Sequence, residues 1–117
     1  MAFAYTIMRL LLQHERPLVA YLFELAAVPI SIDKLLVKPM VDGGMGSLLI
    51  APFVEGRRLG STTATCHFYD LDNVPVCAEL NLDRSGKPFA IDVWKVDFTP
   101  TVSWPSRSKL KKGMPDS

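Results

Sequence analysis

Histidine is scarce in this sequence. His14 and His67 are the only two, far apart in the chain. No His-x-x-x-His spacing offers a metal ion paired ligands. Cysteine is as rare: Cys66 and Cys77 stand alone, with no Cys-x-x-Cys, which argues against a zinc or dithiol site. No apolar run approaches the roughly 18 to 20 residues that span a bilayer. The opening MAFAYTIMRLLLQHE is apolar, but no basic residue precedes its apolar part, Arg9 interrupts it, and no small-residue cleavage site follows. It reads as neither signal peptide nor anchor. The expectation is that Met8 is near the natural start and that residues 1 to 7 are an extension. Charge excess is missing too. The net charge of +1 points by itself to neither nucleic acid nor membrane. The DGGMGS stretch, residues 42 to 47, lacks a following Lys-Ser/Thr pair and leads into no predicted helix. A tight turn, in which glycines supply positive φ, replaces the phosphate-loop reading.

What is present suits one α+β domain. The chain has 117 residues, 49% of them apolar, enough for a single core. Leu18, Tyr21, Leu22 and Leu25 fall at i, i+3, i+4 and i+7, which predicts a helix over about Glu15 to Ala27. Pro17 suits its first turn, and Pro29 lies just beyond its end. Five strands follow: Leu35 to Val41, with Pro39 confining it to an edge or a bulge; Met45 to Phe53; Ser61 to Asp70; Val74 to Asp83; and Pro88 to Phe98. The expectation is an N-terminal helix packed on an antiparallel meander, a domain over residues 1 to 105. Residues 106 to 117 are basic and read as a disordered tail.

Turn chemistry predicts the register. Val76, Ala78, Leu80 and Leu82 form one apolar row, and Ala64, Cys66 and Phe68 another. Both rows share a face if Phe68 pairs with Val76 and Cys66 with Ala78. That leaves Leu71-Asp72-Asn73 as a loop with Asn73 in the left-handed conformation. Phe89, Ile91 and Val93 meet Leu82, Leu80 and Ala78 if Ser85-Gly86 is a two-residue turn. The same register places Glu79 opposite Asp92 and Cys77 opposite Trp94 on the other face, with Thr65 and His67 beside them. The two cysteines then point to opposite faces and cannot bridge. Two free thiols without an export signal favour a reducing cytoplasm. After Val93 the alternation fails: Lys95 and Asp97 take the inward parity. Either a β-bulge near Trp94 swaps the faces, or the strand outruns the core.

The outer face carries the functional candidates. Residues 66 to 97 hold six acids against three bases, whereas residues 98 to 117 hold four bases against Asp116. Glu79, Asp92, Trp94, Asp97, His67 and Tyr69 together form a candidate partner-binding patch. The aromatics supply contact energy, and the acids steer a basic partner. Against this stand a merely solvated sheet face, a Trp94 covered by the chain's own N-terminal segment, and an acid–base cluster of Glu79, Asp92 and His67. The last needs a pocket that a flat sheet does not predict. A cysteine nucleophile at Cys77 lacks any oxyanion hole nearby. No catalytic residue, metal or cofactor is assigned, and neither a membrane nor direct nucleic-acid contact is expected.

The runs KPMVDGGMGSL (38 to 48), VPVCAELNLDRSGKPF (74 to 89) and IDVWKVDFTP (91 to 100) resemble an uncharacterised family of small bacterial proteins with a C-terminal WKVDF hairpin. The likeness covers about residues 8 to 105. It implies the helix-plus-hairpin fold and a start near Met8, and carries over no catalytic residue. Where the family usually has glycine, this chain has Asn73. By size, charge and lack of evident chemistry the chain is also similar to immunity proteins, cytoplasmic inhibitors that neutralise a toxin domain, often a nuclease, in contact-dependent inhibition. The expectation is therefore a non-enzymatic protein that binds a basic partner such as a toxin nuclease domain. The alternatives are a small hydrolase or transferase and a homodimeric module.

Overall fold

A computed structural model describes residues 8–116; the expected extension, residues 1 to 7, lies outside them. Helix α1 runs Arg16–Leu25, entered through a single 3-10 turn, Gln13–Glu15. Its start is built on charge. Glu15 is buried, accepts the Leu12 amide at 2.8 Å, and takes both guanidinium nitrogens of Arg9 at 2.8 and 3.0 Å. Pro17 sits in the first turn, where no N–H is missed. The helix stops at Leu25, two residues before the predicted Ala27, which itself has φ 55° and turns the chain away. Upstream of the helix, Arg9 is extended and bridges Val37.

The strands are β1 (Val37–Pro39), β2 (Leu48–Ile50), β3 (Leu59–Tyr69), β4 (Pro75–Asp83), β5 (Pro88–Lys95) and β6 (Lys111–Lys112). They form one antiparallel sheet in the order β1-β2-β5-β4-β3-β6. The α+β class therefore holds, with a six-stranded sheet. β3-β4-β5 is a meander, but the β1-β2 hairpin docks beside β5 instead of β3. The link between β2 and β3 is held by Arg57, whose guanidinium reaches the Asp83 carboxylate at 2.8 Å, the Ile50 carbonyl at 2.6 Å and the Pro52 carbonyl at 3.0 Å.

Both hairpins use one turn design. Phe68 pairs with Val76, Cys66 with Ala78 and Ala64 with Leu80, as the apolar rows predict. Asn73 has φ 64° and closes the three-residue loop. At the second hairpin the two-residue turn is replaced. The Asp83 amide donates to Lys87 and the Gly86 amide to Asp83, with Gly86 at φ 83°. The Asp83 carboxylate also accepts the Ser85 and Lys87 amides, which selects this longer loop. A shift between Asn81 and Leu82 absorbs the extra residue, so Leu82 meets Pro88. Phe89 consequently leaves the predicted core row. It lies half-buried under the Arg57 guanidinium, 5.0 Å from the ring centroid.

The core lies between α1 and the inner sheet face. Leu18, Val19, Leu22 and Phe23 join Cys66, Phe68, Val76, Ala78, Leu80, Ile91 and Val93 in one cluster. Each fully buried large apolar side chain there contributes about 1.5–3 kcal/mol relative to exposure. The segment after Pro100 packs, and so does the described part of the tail over residues 106 to 117, which was expected to be disordered. Trp104 faces Phe68 and His14, with centroids 6.4 and 5.2 Å away, and Pro105 and Leu110 are buried. Residues 107–109 make a 3-10 turn, and β6 then pairs with β3. Apolar side chains at Trp104 and Leu110 outweigh the polar average of the segment.

Candidate functional site

The outer face of the sheet is a grid fixed by register. One row runs Lys111, His67, Cys77, Trp94, and the next runs Thr65, Glu79, Asp92. A third runs Asn81, Ala90, Leu49, Lys38. The Glu79–Asp92 and Cys77–Trp94 pairings are those expected. All of the cluster's core members lie on the helix side; Cys77 and Ala90, buried on the outer side, are not part of it.

The predicted patch is brought together in part. Glu79, Asp92 and Trp94 are half-buried neighbours. His67 is buried beside them, and its ring meets Tyr69 edge-on at 5.9 Å. Its Nδ1 is 2.7 Å from the Gly113 carbonyl. A carbonyl only accepts, so Nδ1 carries the proton there. Tyr69 is exposed at the end of β3. Asp97 stands apart, beyond the end of β5. Its carboxylate binds the Thr99 amide and hydroxyl at 3.1 and 2.7 Å. These bonds and the Lys95 charge hold the Asp97 carboxyl below its ordinary range. Asp97 shapes a turn in which Phe98 has φ 61°. A base also enters the face: β6 sets Lys111 beside His67 at the sheet edge.

Electrostatics separates the two acids. Burial, and then the charge of Asp92, raises the Glu79 carboxyl. Asp92 accepts the Asn81 side-chain amide at 2.6 Å, and Asn81 in turn accepts the Thr62 hydroxyl at 2.7 Å. Among the described residues neither acid is ion-paired to a lysine or arginine. The thiols are poorly suited to nucleophilic work. Burial pushes Cys66 up to about 12, and burial plus Glu79 raises Cys77. None of five surface grooves is lined by His67, Glu79, Asp92 or Trp94. No trio of metal-ligating side chains occurs among the described residues, and no helix there is long and apolar enough to cross a membrane.

The charged residues that sequence reasoning missed are structural. β5 keeps its register through Val76↔Lys95, with no bulge near Trp94. Lys95 stays inward and is 1% exposed. Its ammonium donates to Asp70 at 2.9 Å and Asp72 at 2.6 Å. The Asp72 contact first, opposed by burial and aided by Asp70, raises the Lys95 amine. Asp70 collects five hydrogen bonds, from Lys95, the Leu71, Val102 and Ser103 amides and the Ser103 hydroxyl. Burial works to raise its carboxyl, but these donors outweigh it and hold it well below the usual range. The cluster ties the end of β5 and the β3–β4 loop to the segment that carries Trp104. An inward lysine was the one sequence signal of it.

The DGGMGS turn is also structural. Asp42 accepts the Met45 and Ser47 amides at 3.1 and 2.7 Å, so the loop's own carboxylate takes the place an anion would need. Gly46, at φ 108°, lies where a Cβ would strike the Trp104 ring.

Fold and face define a small α+β domain whose outer sheet face carries the opposed acids Glu79 and Asp92, with Lys111 and Lys38 at the two ends of the flanking rows. Residues 8–105 match the family described as a domain of unknown function, DUF6984, and the chain belongs to that family. No curated protein and no solved structure matches it.

Proposed function

We propose that this protein binds a basic protein partner through the outer sheet face and performs no catalysis itself. Its role is that of an immunity protein, which occupies the cleft of a toxin nuclease domain in a reducing, cytoplasmic setting. One observation carries the reading. Glu79 and Asp92 are directly opposed on the outer face, and neither is ion-paired to a lysine or arginine among the described residues. Like charges in such a cross-strand pair cost roughly 0.2–1 kcal/mol. A cationic partner relieves that cost, and Trp94 beside the pair offers an aromatic contact. The hydrolase alternative requires a pocket around Glu79, Asp92 and His67, and five of the surface grooves among the described residues are lined by none of these three.

The first test is the gene beside this one: a toxin-like domain encoded there supports the reading and a metabolic operon counts against it. Calorimetric binding to that toxin-like domain is the second test. The unaltered protein should bind it and inhibit it. Asp92→Lys should weaken the complex by at least about 30-fold, since like-charge juxtaposition at an interface costs several kcal/mol. The remaining association should depend less on salt. Unchanged affinity after the swap would remove this face from the interface.

A further inference from the structure

The second sheet edge carries a short occupant, β6. Of the two edges, β1 is protected by Pro39 and by the bridge from Arg9 to Val37. At the other edge, β3 has register shifts at Leu59/Ser61 and at Thr62/Ala64, which twist its first half away from a regular ladder. Its regular part runs from Ala64 to Tyr69, and β6 covers Thr65 to His67 within it. β6 is only two residues long, and both of its lysines are exposed. It is anchored by buried Leu110, by the Gly113 amide on the Thr65 carbonyl at 2.8 Å, and by His67 Nδ1 on the Gly113 carbonyl. β6 also lies beyond residue 105, where the family match ends. A groove of about 320 Å³, lined by Leu25, Thr62 to Thr65, Lys112 and Gly113, continues its line along β3.

We propose that the β3 edge is a strand-docking site, that residues 110–113 are its resident occupant, and that an extended basic segment of the partner displaces them. The resident sequence Leu-Lys-Lys-Gly states the chemistry of the visitor. An apolar residue fills the Leu110 site. A lysine or arginine follows it beside His67, on the face that carries Glu79 and Asp92. Backbone pairing supplies the affinity and the alternate side chains the specificity. This deepens the reading of the outer face as the binding surface for a basic partner and rests on it.

The test needs no partner. Alternation from the Gly113–Thr65 bond makes His67–Lys111 a hydrogen-bonded pair, so Lys111→Pro removes one of its bonds. A labelled peptide of residues 106–117 should bind the full-length Lys111→Pro chain at least about tenfold more tightly than the unaltered chain, whose tethered tail competes at high effective concentration. A scrambled peptide should not bind. In the unaltered chain the His67 amide should exchange hydrogen at least about 100-fold faster than that of Ala78 in β4, because the tail opens without global unfolding. Equal peptide binding to both chains, or to neither, overturns the proposal. So does His67 exchange that matches Ala78, which would also decide the matter if the proline variant failed to fold. Strand exchange without an Asp92→Lys effect on partner binding would sink the outer-face reading alone. The reverse would sink only this one.

Discussion

Asp70→Asn should be among the most damaging conservative substitutions in this protein. The Asp70 side chain is 0% exposed and receives five hydrogen bonds, one of them from Lys95, itself 1% exposed. Asparagine keeps the shape but removes the charge, leaving a buried ammonium with only Asp72, which is 48% exposed. Breaking one partner of a buried ion pair costs about 3–5 kcal/mol. The Asp72 contact places the expected loss near the lower end, about 3 kcal/mol. For a chain of this size that lowers Tm by roughly 10 °C or more. Urea unfolding followed by tryptophan fluorescence measures it, because the Val102 and Ser103 anchors that lead into Trp104 loosen together. Asp72→Asn is the control and should cost under about 1 kcal/mol, as partly exposed pairs do. Acid adds a second signature. The folded Asp70 carboxyl lies below its ordinary value, so in acid the unfolded chain binds the proton first. Its stabilisation is present above about pH 4 and is lost as pH falls toward the folded value. Asp70→Asn should lack that component of acid sensitivity. A loss under about 1 kcal/mol, with an unchanged acid profile, would refute the account of this cluster.

Two further outcomes follow from the same structure. Glu79→Gln should leave stability unchanged in acid and raise it at neutral pH by up to about 1 kcal/mol, the range for like charges across strands. The sign follows from the raised Glu79 carboxyl, whose contribution is lost as pH rises through its folded value; chemical denaturation at two pH values reads it. Gly46→Ala should cost roughly 1–3 kcal/mol in backbone strain alone at φ 108°. It should also shift Trp104 emission by driving the ring off the loop; unchanged emission would show that the ring does not depend on this contact.

The strand register around Asn73 was legible because two local rules agreed: alternation of apolar residues, and a left-handed loop position that asparagine tolerates. Around Ser85-Gly86 the same reasoning chose the wrong turn. The carboxylate of Asp83 caps a longer loop, and a bulge at Asn81/Leu82 restores the register, neither of which alternation can detect. Asp97 entered the candidate patch on charge and proximity in sequence. It binds Thr99 instead, because the chain turns immediately after Lys95.

By itself, the sequence determined the helix, the inner rows Val76-Ala78-Leu80 and Cys66-Phe68, and the pairings of Glu79 with Asp92 and of Cys77 with Trp94. These depend on periodicity and turn chemistry, which act over a few residues. Only the tertiary structure decided that β2 docks beside β5, that Trp104 and Leu110 recruit the basic tail, and that Lys95 is neutralised internally. Those outcomes join residues dozens of positions apart: Lys95 to Asp70, Trp104 to Gly46, and Gly113 to His67. A buried charge needs its partner and a buried ring needs its space, and both are supplied by chain segments that no local pattern brings together.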